Sequence, residues 1–84
     1  MTNLNDYRLK EQELKIVSQL KQARKQHGFS QRGLCAILNM QQPSLVKIEK
    51  GMISPQLNTI LKLLEPLGLT LEVVEIDKSG EIVL

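Results

Sequence analysis

Aromatic residues are nearly missing from this chain, which has one Tyr, one Phe and no Trp among 84 residues. A core without aromatic bulk has to be aliphatic, built from Leu, Ile and Val. The single cysteine, Cys35, excludes an internal disulfide. The single histidine, His27, has no second His with which to share a metal ion. No apolar run is long enough to span a membrane, and the opening Met1-Thr-Asn-Leu-Asn-Asp-Tyr-Arg has no apolar signal core. A cytoplasmic protein that does not engage a membrane is therefore expected. A Gly-rich phosphate loop, a Ser/His/Asp set and paired carboxylates in a plausible cleft are all missing, so neither an enzyme nor a cofactor is expected.

What is present is one small domain's worth of aliphatic residues, with 42% of the chain hydrophobic. A chain this short buries only part of its surface, so its stability should be modest. The net charge of +2 conceals an asymmetry. Residues 1–53 carry nine Lys/Arg and four Asp/Glu, a balance of +5, whereas residues 54–84 carry two Lys and five acids, a balance of −3. A basic first part and an acidic last part suggest two different partners.

Helical spacing dominates up to residue 68. Residues 1–8 read as a loose arm, and residues 1–12 together as a flexible arm or helix extension ahead of a folded unit at 13–68. Ile16, Leu20, Ala23 and His27 recur at helical spacing and predict a helix over residues 9–27, with Gly28 just past its end. Ser30 is an N-cap for a second helix over residues 31–38, although Gly33 stands where a capping box needs Glu or Gln. Asn39 tolerates the left-handed conformation of a tight turn. A third helix is predicted over residues 42–50, with Pro43 in its first turn and Gly51 ending it. Ser54-Pro55 opens a fourth as N-cap and first helical residue. Leu57, Ile60, Leu61 and Leu64 form its apolar face, and Pro66 and Gly68 close it.

Beyond that the period changes. Residues 69–76 and 81–84 read as strands joined by a turn at 77–80, a C-terminal β-hairpin spanning 69–84. A lone hairpin is marginal in water, so it should pair with the same hairpin of a second subunit and serve dimerisation. The expected fold is thus mainly α: four to five helices with a C-terminal hairpin.

Two short helices joined by a tight turn, flanked by further helices, form a DNA-reading geometry in which the second helix enters the major groove. The small residues Cys35 and Ala36 allow the two helices to pack closely, and Leu45 and Ile48 anchor the second helix three residues apart. Leu34, Leu38 and Met40 complete the local core. Gln41, Gln42, Ser44 and Lys47 lie on the free face of that helix or at its start. Gln bonds adenine N6 and N7 together, Lys bonds guanine O6 and N7, and Ser contacts a base edge or a phosphate. Gln31, at the start of the preceding helix, is placed to bond a phosphate or to brace Gln42. Arg32 and Lys50 are expected phosphate contacts.

The residues from Leu20 to Leu71 resemble the XRE, or Cro/C1-type, helix-turn-helix family, which includes phage repressors. The likeness is carried by Leu20-x-x-x-Arg24, Phe29-Ser-Gln31, Leu34-Cys-Ala-Ile-Leu, Ser44-Leu-Val-Lys-Ile-Glu49-Lys-Gly51 and Pro55-x-Leu-x-Thr59-Ile-Leu. It implies a lambda-repressor-like DNA-binding domain that acts as a dimer on double-stranded DNA at a palindromic operator, with Gln31, Gln42, Ser44 and Lys47 facing the DNA. It also implies that Arg24 and Glu49 form a structural ion pair holding the recognition helix to the first helix. Gly33 and Pro66 depart from the family pattern, and Pro66 argues against a full fifth helix. The C-terminal end resembles HipB-like antitoxins, which share a small intersubunit sheet, repress their own operon and bind a kinase-fold toxin. An autoregulating antitoxin with a HipA-like kinase partner is one expectation. A stand-alone repressor and a mainly toxin-sequestering module are the alternatives.

Plainer roles compete for individual residues. His27 reads as a partly packed side chain favoured by the helix C-terminal dipole rather than a ligand or base. Cys35 reads as a buried inert thiol. Without the surrounding pattern, the Gln/Ser/Lys face would be an ordinary solvated one. Glu72, Glu75 and Glu81 would equally serve to protect an exposed edge.

Overall fold

The computed structural model describes residues 4–84, with side chains from Asp6 onward. Four α-helices and a short 3₁₀ turn follow one another: α1 Leu4–Gln26, α2 Gln31–Leu38, α3 Gln42–Glu49, α4 Leu57–Leu64 and the turn Glu65–Leu67. No fifth α-helix follows among the described residues.

Helix α1 starts well before the predicted residue 9, so residues 4–8 are helical rather than a loose arm; residues 1–3 lie outside the described residues. Residues 6–12 are all exposed, and the helix first enters the core at Val17. Packing of the C-terminal half stabilises the helix, and extension beyond it adds one hydrogen bond per residue fixed. A local pair supports the extension: Lys10 Nζ donates to Glu13 Oε2 at 2.8 Å. At the other end Gly28, at φ 77°, turns the chain out of the helix as Phe29 N donates to Arg24 O at 3.1 Å.

The α2–α3 unit is built by short-range chemistry. Ser30 is extended, and its hydroxyl accepts from Gly33 N at 2.9 Å, satisfying one free donor of α2. Asn39 takes the left-handed conformation at φ 52°, and Met40 N returns to Cys35 O at 2.9 Å. Helix α3 carries Pro43 in its first turn, where a missing N–H costs nothing. Gly51 follows at φ 72°, and a Cβ there would meet Leu14 Cδ2 at 2.7 Å. The left-handed conformation favours glycine at this position, and a Cβ would also require the Leu14 side chain to move.

The predicted start of α4 needs correction. Gln56 rather than Ser54 is its N-cap, and Pro55 lies outside the helix. The Ser54 hydroxyl instead donates to Glu13 Oε2 at 3.1 Å, tying the loop before α4 to α1. Hydrogen bonds from Lys10 and then from Ser54 hold the Glu13 carboxyl below its usual range. Helix α4 ends at Leu64, Pro66 sits in the 3₁₀ turn, and Gly68 reverses the chain at φ 68°.

All four helices contribute to one aliphatic core. Leu20, Leu34, Leu45, Ile48 and Leu63 are essentially inaccessible, with Val17, Ile60, Leu64 and Leu67 around them. Ile16, Phe29, Leu38, Met40 and Leu71 pack on its margin. Leu57 and Leu61, expected on the buried face of α4, are instead exposed at 64% and 37%.

The C-terminal β-hairpin is not formed. Among the described residues there are no strands, only one antiparallel bridge between Ile76 and Ile82. Asp77 N donates to Glu81 O at 2.8 Å, and Val83 N to Glu75 O at 2.9 Å. The turn between them is closed by the Asp77 carboxylate, which accepts from Ser79 N, Ser79 Oγ and Glu81 N at 2.9, 2.6 and 2.9 Å. Branched residues give this segment a preference for extended backbone, but a strand needs a neighbouring strand and a face to bury. Val73 is 99% exposed and Val74, Ile76, Ile82 and Val83 are also exposed; Leu71 alone in the segment packs on the core.

Candidate nucleic-acid interface

Helix α3 is held from beneath by Leu45 and Ile48, both buried, which leaves its opposite side to solvent. Gln41, Gln42 and Lys47 are exposed on that side, and Ser44 is half-buried beside them. Lys50 is exposed at the end of the helix, and Arg32 is exposed in the first turn of α2. The sequence-predicted residues thus fall on two adjoining stretches of surface, around α3 and the start of α2.

Beneath this surface lies a buried polar network. Arg24 Nε donates to Glu49 Oε2 at 2.8 Å and Arg24 Nη2 to Glu49 Oε1 at 3.0 Å, a two-point fork between side chains only 6% and 1% exposed. The third guanidinium nitrogen, Nη1, donates to Phe29 O at 2.7 Å. One residue of α1 therefore grips both the end of α3 and the loop that leads into α2. No buried side-chain polar atom among the described residues lacks a partner. A buried ion pair can offset its desolvation only under that condition.

Gln31 belongs to the same network. Its Nε2 donates to Glu49 Oε1 at 2.9 Å, so the brace expected toward Gln42 runs to Glu49 instead. An ionised carboxylate only accepts. The Gln31 amide must therefore turn its NH₂ inward, leaving its carbonyl oxygen and a second N–H for other partners. Spacing along the chain gives no hint of this contact, because the two residues are 18 apart and meet only through the fold.

The network also shapes the electrostatics. Residues 31–50 contain three cations, Arg32, Lys47 and Lys50, all exposed, and one acid, Glu49. Burying Glu49 against Arg24 removes the one negative charge of that stretch from the surface. The exposed charged side chains of that stretch are therefore all cationic, which favours a polyanion. Cys35 packs just behind, a buried free thiol. Burial pushes its ionisation upward and the Glu49 carboxylate adds to the push, so it is a poor nucleophile. His27 is exposed, with Nδ1 donating to Ala23 O at 2.9 Å, a local helix-end bond.

One surface feature went unread in the sequence. A shallow groove of about 400 Å³ runs along α3, lined by Gln42, Pro43, Val46, Lys47 and Met52. Val46 is half-buried and Met52 is 66% exposed. The available signal was an apolar residue, Val46, at a helix position that the Leu45/Ile48 core does not use.

A buried clamp under two short helices and a tight turn, with a cationic polar side outermost, defines a helix-turn-helix DNA-binding protein. Residues 20–74 match the helix-turn-helix family model, and the chain belongs to that family. It is similar to an uncharacterized HTH-type transcriptional regulator of Haemophilus influenzae, with 42% identity over 72 residues that cover 83% of this chain and 74% of that one. Among solved structures it is similar to a chain of a toxin-antitoxin module from Streptococcus pneumoniae, at a TM-score of 0.69 and 35% identity, covering 92% of this chain and 85% of the other.

Proposed function

We propose that this chain is a transcriptional repressor that acts as a dimer on a palindromic operator, with α3 in the major groove of each half-site. The observation that carries this reading is the free polar side of α3, rigidly backed by the Arg24–Glu49 pair. Gln41, Gln42, Ser44 and Lys47 take the base edges, while Arg32, Lys50 and the outward groups of Gln31 take phosphates. A second copy is favoured by the exposed apolar residues Leu57, Leu61 and Val73, which line one surface hollow beside α4. Half-sites should lie about 34 Å apart.

Gel shifts on the chain's own promoter across a salt series test the reading. Lys50→Ala should weaken binding to all sequences alike and lower the salt slope by about 1 per subunit. Gln42→Ala should cost about 1–3 kcal/mol at the preferred site and relax its sequence preference. A wild-type chain that forms no sequence-preferring complex would end the proposal.

A second reading makes this repressor the autoregulating antitoxin of a toxin–antitoxin operon, a HipA-like kinase being one candidate toxin. Similarity to a chain of a toxin-antitoxin module supports it. A cotranscribed toxin gene next to this one, and a stable complex between the two purified products, are the expected results. A neighbour whose product neither binds the chain nor arrests growth would leave the stand-alone repressor. Either form is expected to work in the cytoplasm. Among the described residues no helix is long and apolar enough to cross a membrane.

A further inference from the structure

The groove along α3 has the wrong chemistry for phosphate and the wrong place for the core. Three of its five lining residues, Pro43, Val46 and Met52, are apolar, yet it opens to solvent between Gln42 and Lys47. Its two polar edges belong to the side chains assigned to base reading. Pro43 and Val46 come from α3 itself, whereas Met52 reaches in from the loop after it. In the major groove of B-DNA the only apolar group that distinguishes one base pair from another is the thymine C5-methyl. A polar base edge set against Pro43, Val46 and Met52 would lose water without gaining a partner there, at a cost in affinity.

We infer that the groove formed by Pro43, Val46 and Met52 is a binding subsite for the C5-methyl group of a thymine beside the adenine that Gln42 reads. The inference rests on the reading of α3 as the DNA-facing helix and names part of its preferred sequence. The occupant follows from continuity with the base-reading side chains. Gln42 supplies the paired donor and acceptor that adenine presents, and the groove next to it takes a methyl, so the two together select A·T pairs over G·C. Lys47 closes the far edge with a positive charge that suits the phosphate-rich surroundings and would repel a cationic partner. Val46 and Met52 thereby become specificity-determining residues, a role that no polar-contact pattern assigns to them.

The test starts from random-sequence DNA selected with the full chain. Each thymine of the selected site is then replaced singly by deoxyuridine, which deletes the methyl and keeps every hydrogen-bonding group. At one or two positions per half-site, affinity should fall about three- to fourfold, the value of one buried methyl group. Met52→Gln, at an exposed position, and Val46→Ser, which removes both methyl groups of Val46, should each lower affinity for the thymine site. Each should also flatten the thymine–deoxyuridine difference toward one. A sequence-selective complex indifferent to deoxyuridine everywhere, or one equally sensitive in wild type and both variants, overturns the subsite and leaves DNA reading by α3 intact. Failure to select any sequence overturns both.

Discussion

The two ends of this chain treat apolar and polar groups in opposite ways. Around α2 and α3, a charged pair is almost fully withdrawn from water, and every buried side-chain polar atom among the described residues finds a partner. Over residues 69–84, branched aliphatic side chains stand in water and one bridge holds the backbone together. The first arrangement is complete within one chain, because its members were brought together by the fold. The second closes its turn through Asp77 and, among the described residues, sends only Leu71 onto the core. A unit that must present a rigid face to DNA needs the first kind of region. The second kind leaves apolar surface in water, which burial against another molecule would stabilise.

The contrast breaks most violently at Glu49. Glu49→Ala strands the Arg24 guanidinium in the core and also frees Gln31, and losing one partner of a buried pair costs about 3–5 kcal/mol. For a domain of this size each kcal/mol moves the melting temperature by about 4–8 °C. Thermal unfolding followed by circular dichroism should therefore show a drop of tens of degrees, with DNA binding lost as a consequence of unfolding. An unchanged melting temperature would show that the clamp holds nothing.

That clamp also marks how far the sequence alone could be read. The helices around the turn were legible because their signals are local: Ser30 caps, Asn39 takes a left-handed turn, Pro43 starts a helix and Gly51 stops one. Each acts within a few residues of itself. Arg24 and Glu49 are 25 residues apart, and their pairing came from family likeness rather than from spacing. Gln31 was placed at the right helix end, but its partner depended on how α3 crosses α2. Ser54 shows the same limit from the other side. It has the character of a cap, yet a carboxylate 41 residues away takes its hydroxyl and leaves Gln56 to start α4. The C-terminal segment misled for a different reason. Alternation and branching report a preference for extended backbone, while a sheet is a property of at least two paired segments.

A smaller effect is expected where the chain is unfinished. Val73 is 99% exposed, so Val73→Lys should alter the stability of the single chain by no more than about 0.5 kcal/mol. If Leu57, Leu61 and Val73 are covered by a second copy, the same change places a charge at that contact. It also deletes a buried side chain worth about 1.5–3 kcal/mol. Sedimentation across a concentration series should then show the dimer dissociating at least about tenfold more readily, with operator affinity falling in parallel. A dimer as tight as wild type would move the subunit contact away from Val73 and sharpen the comparison by leaving the tail to another partner.

The smallest expected effects come from pH, and they separate the two regions by sign. At Cys35, burial raises the thiol above its ordinary value. The protonated form is the one the fold prefers, so its contribution is complete below the unfolded thiol's pKa and is lost as pH rises through the folded one. Alkaline solution should therefore loosen the α2–α3 unit, read as faster alkylation of Cys35 by iodoacetamide together with a lower melting temperature. Asp77 runs the other way. Hydrogen bonds from Ser79 and then Glu81 lower its carboxyl below the ordinary range, so its contribution is present above the unfolded pKa and is lost as pH falls through the folded one. Acid should release the Ser79 and Glu81 amides, seen as faster hydrogen exchange at those two positions, with the α2–α3 amides still protected. The tail turn is fully exposed and borne by a single carboxylate, so it should open alone. Simultaneous exchange in both regions would mean that the tail and the DNA-reading unit unfold as one, and the division between a finished region and an unfinished one would not hold.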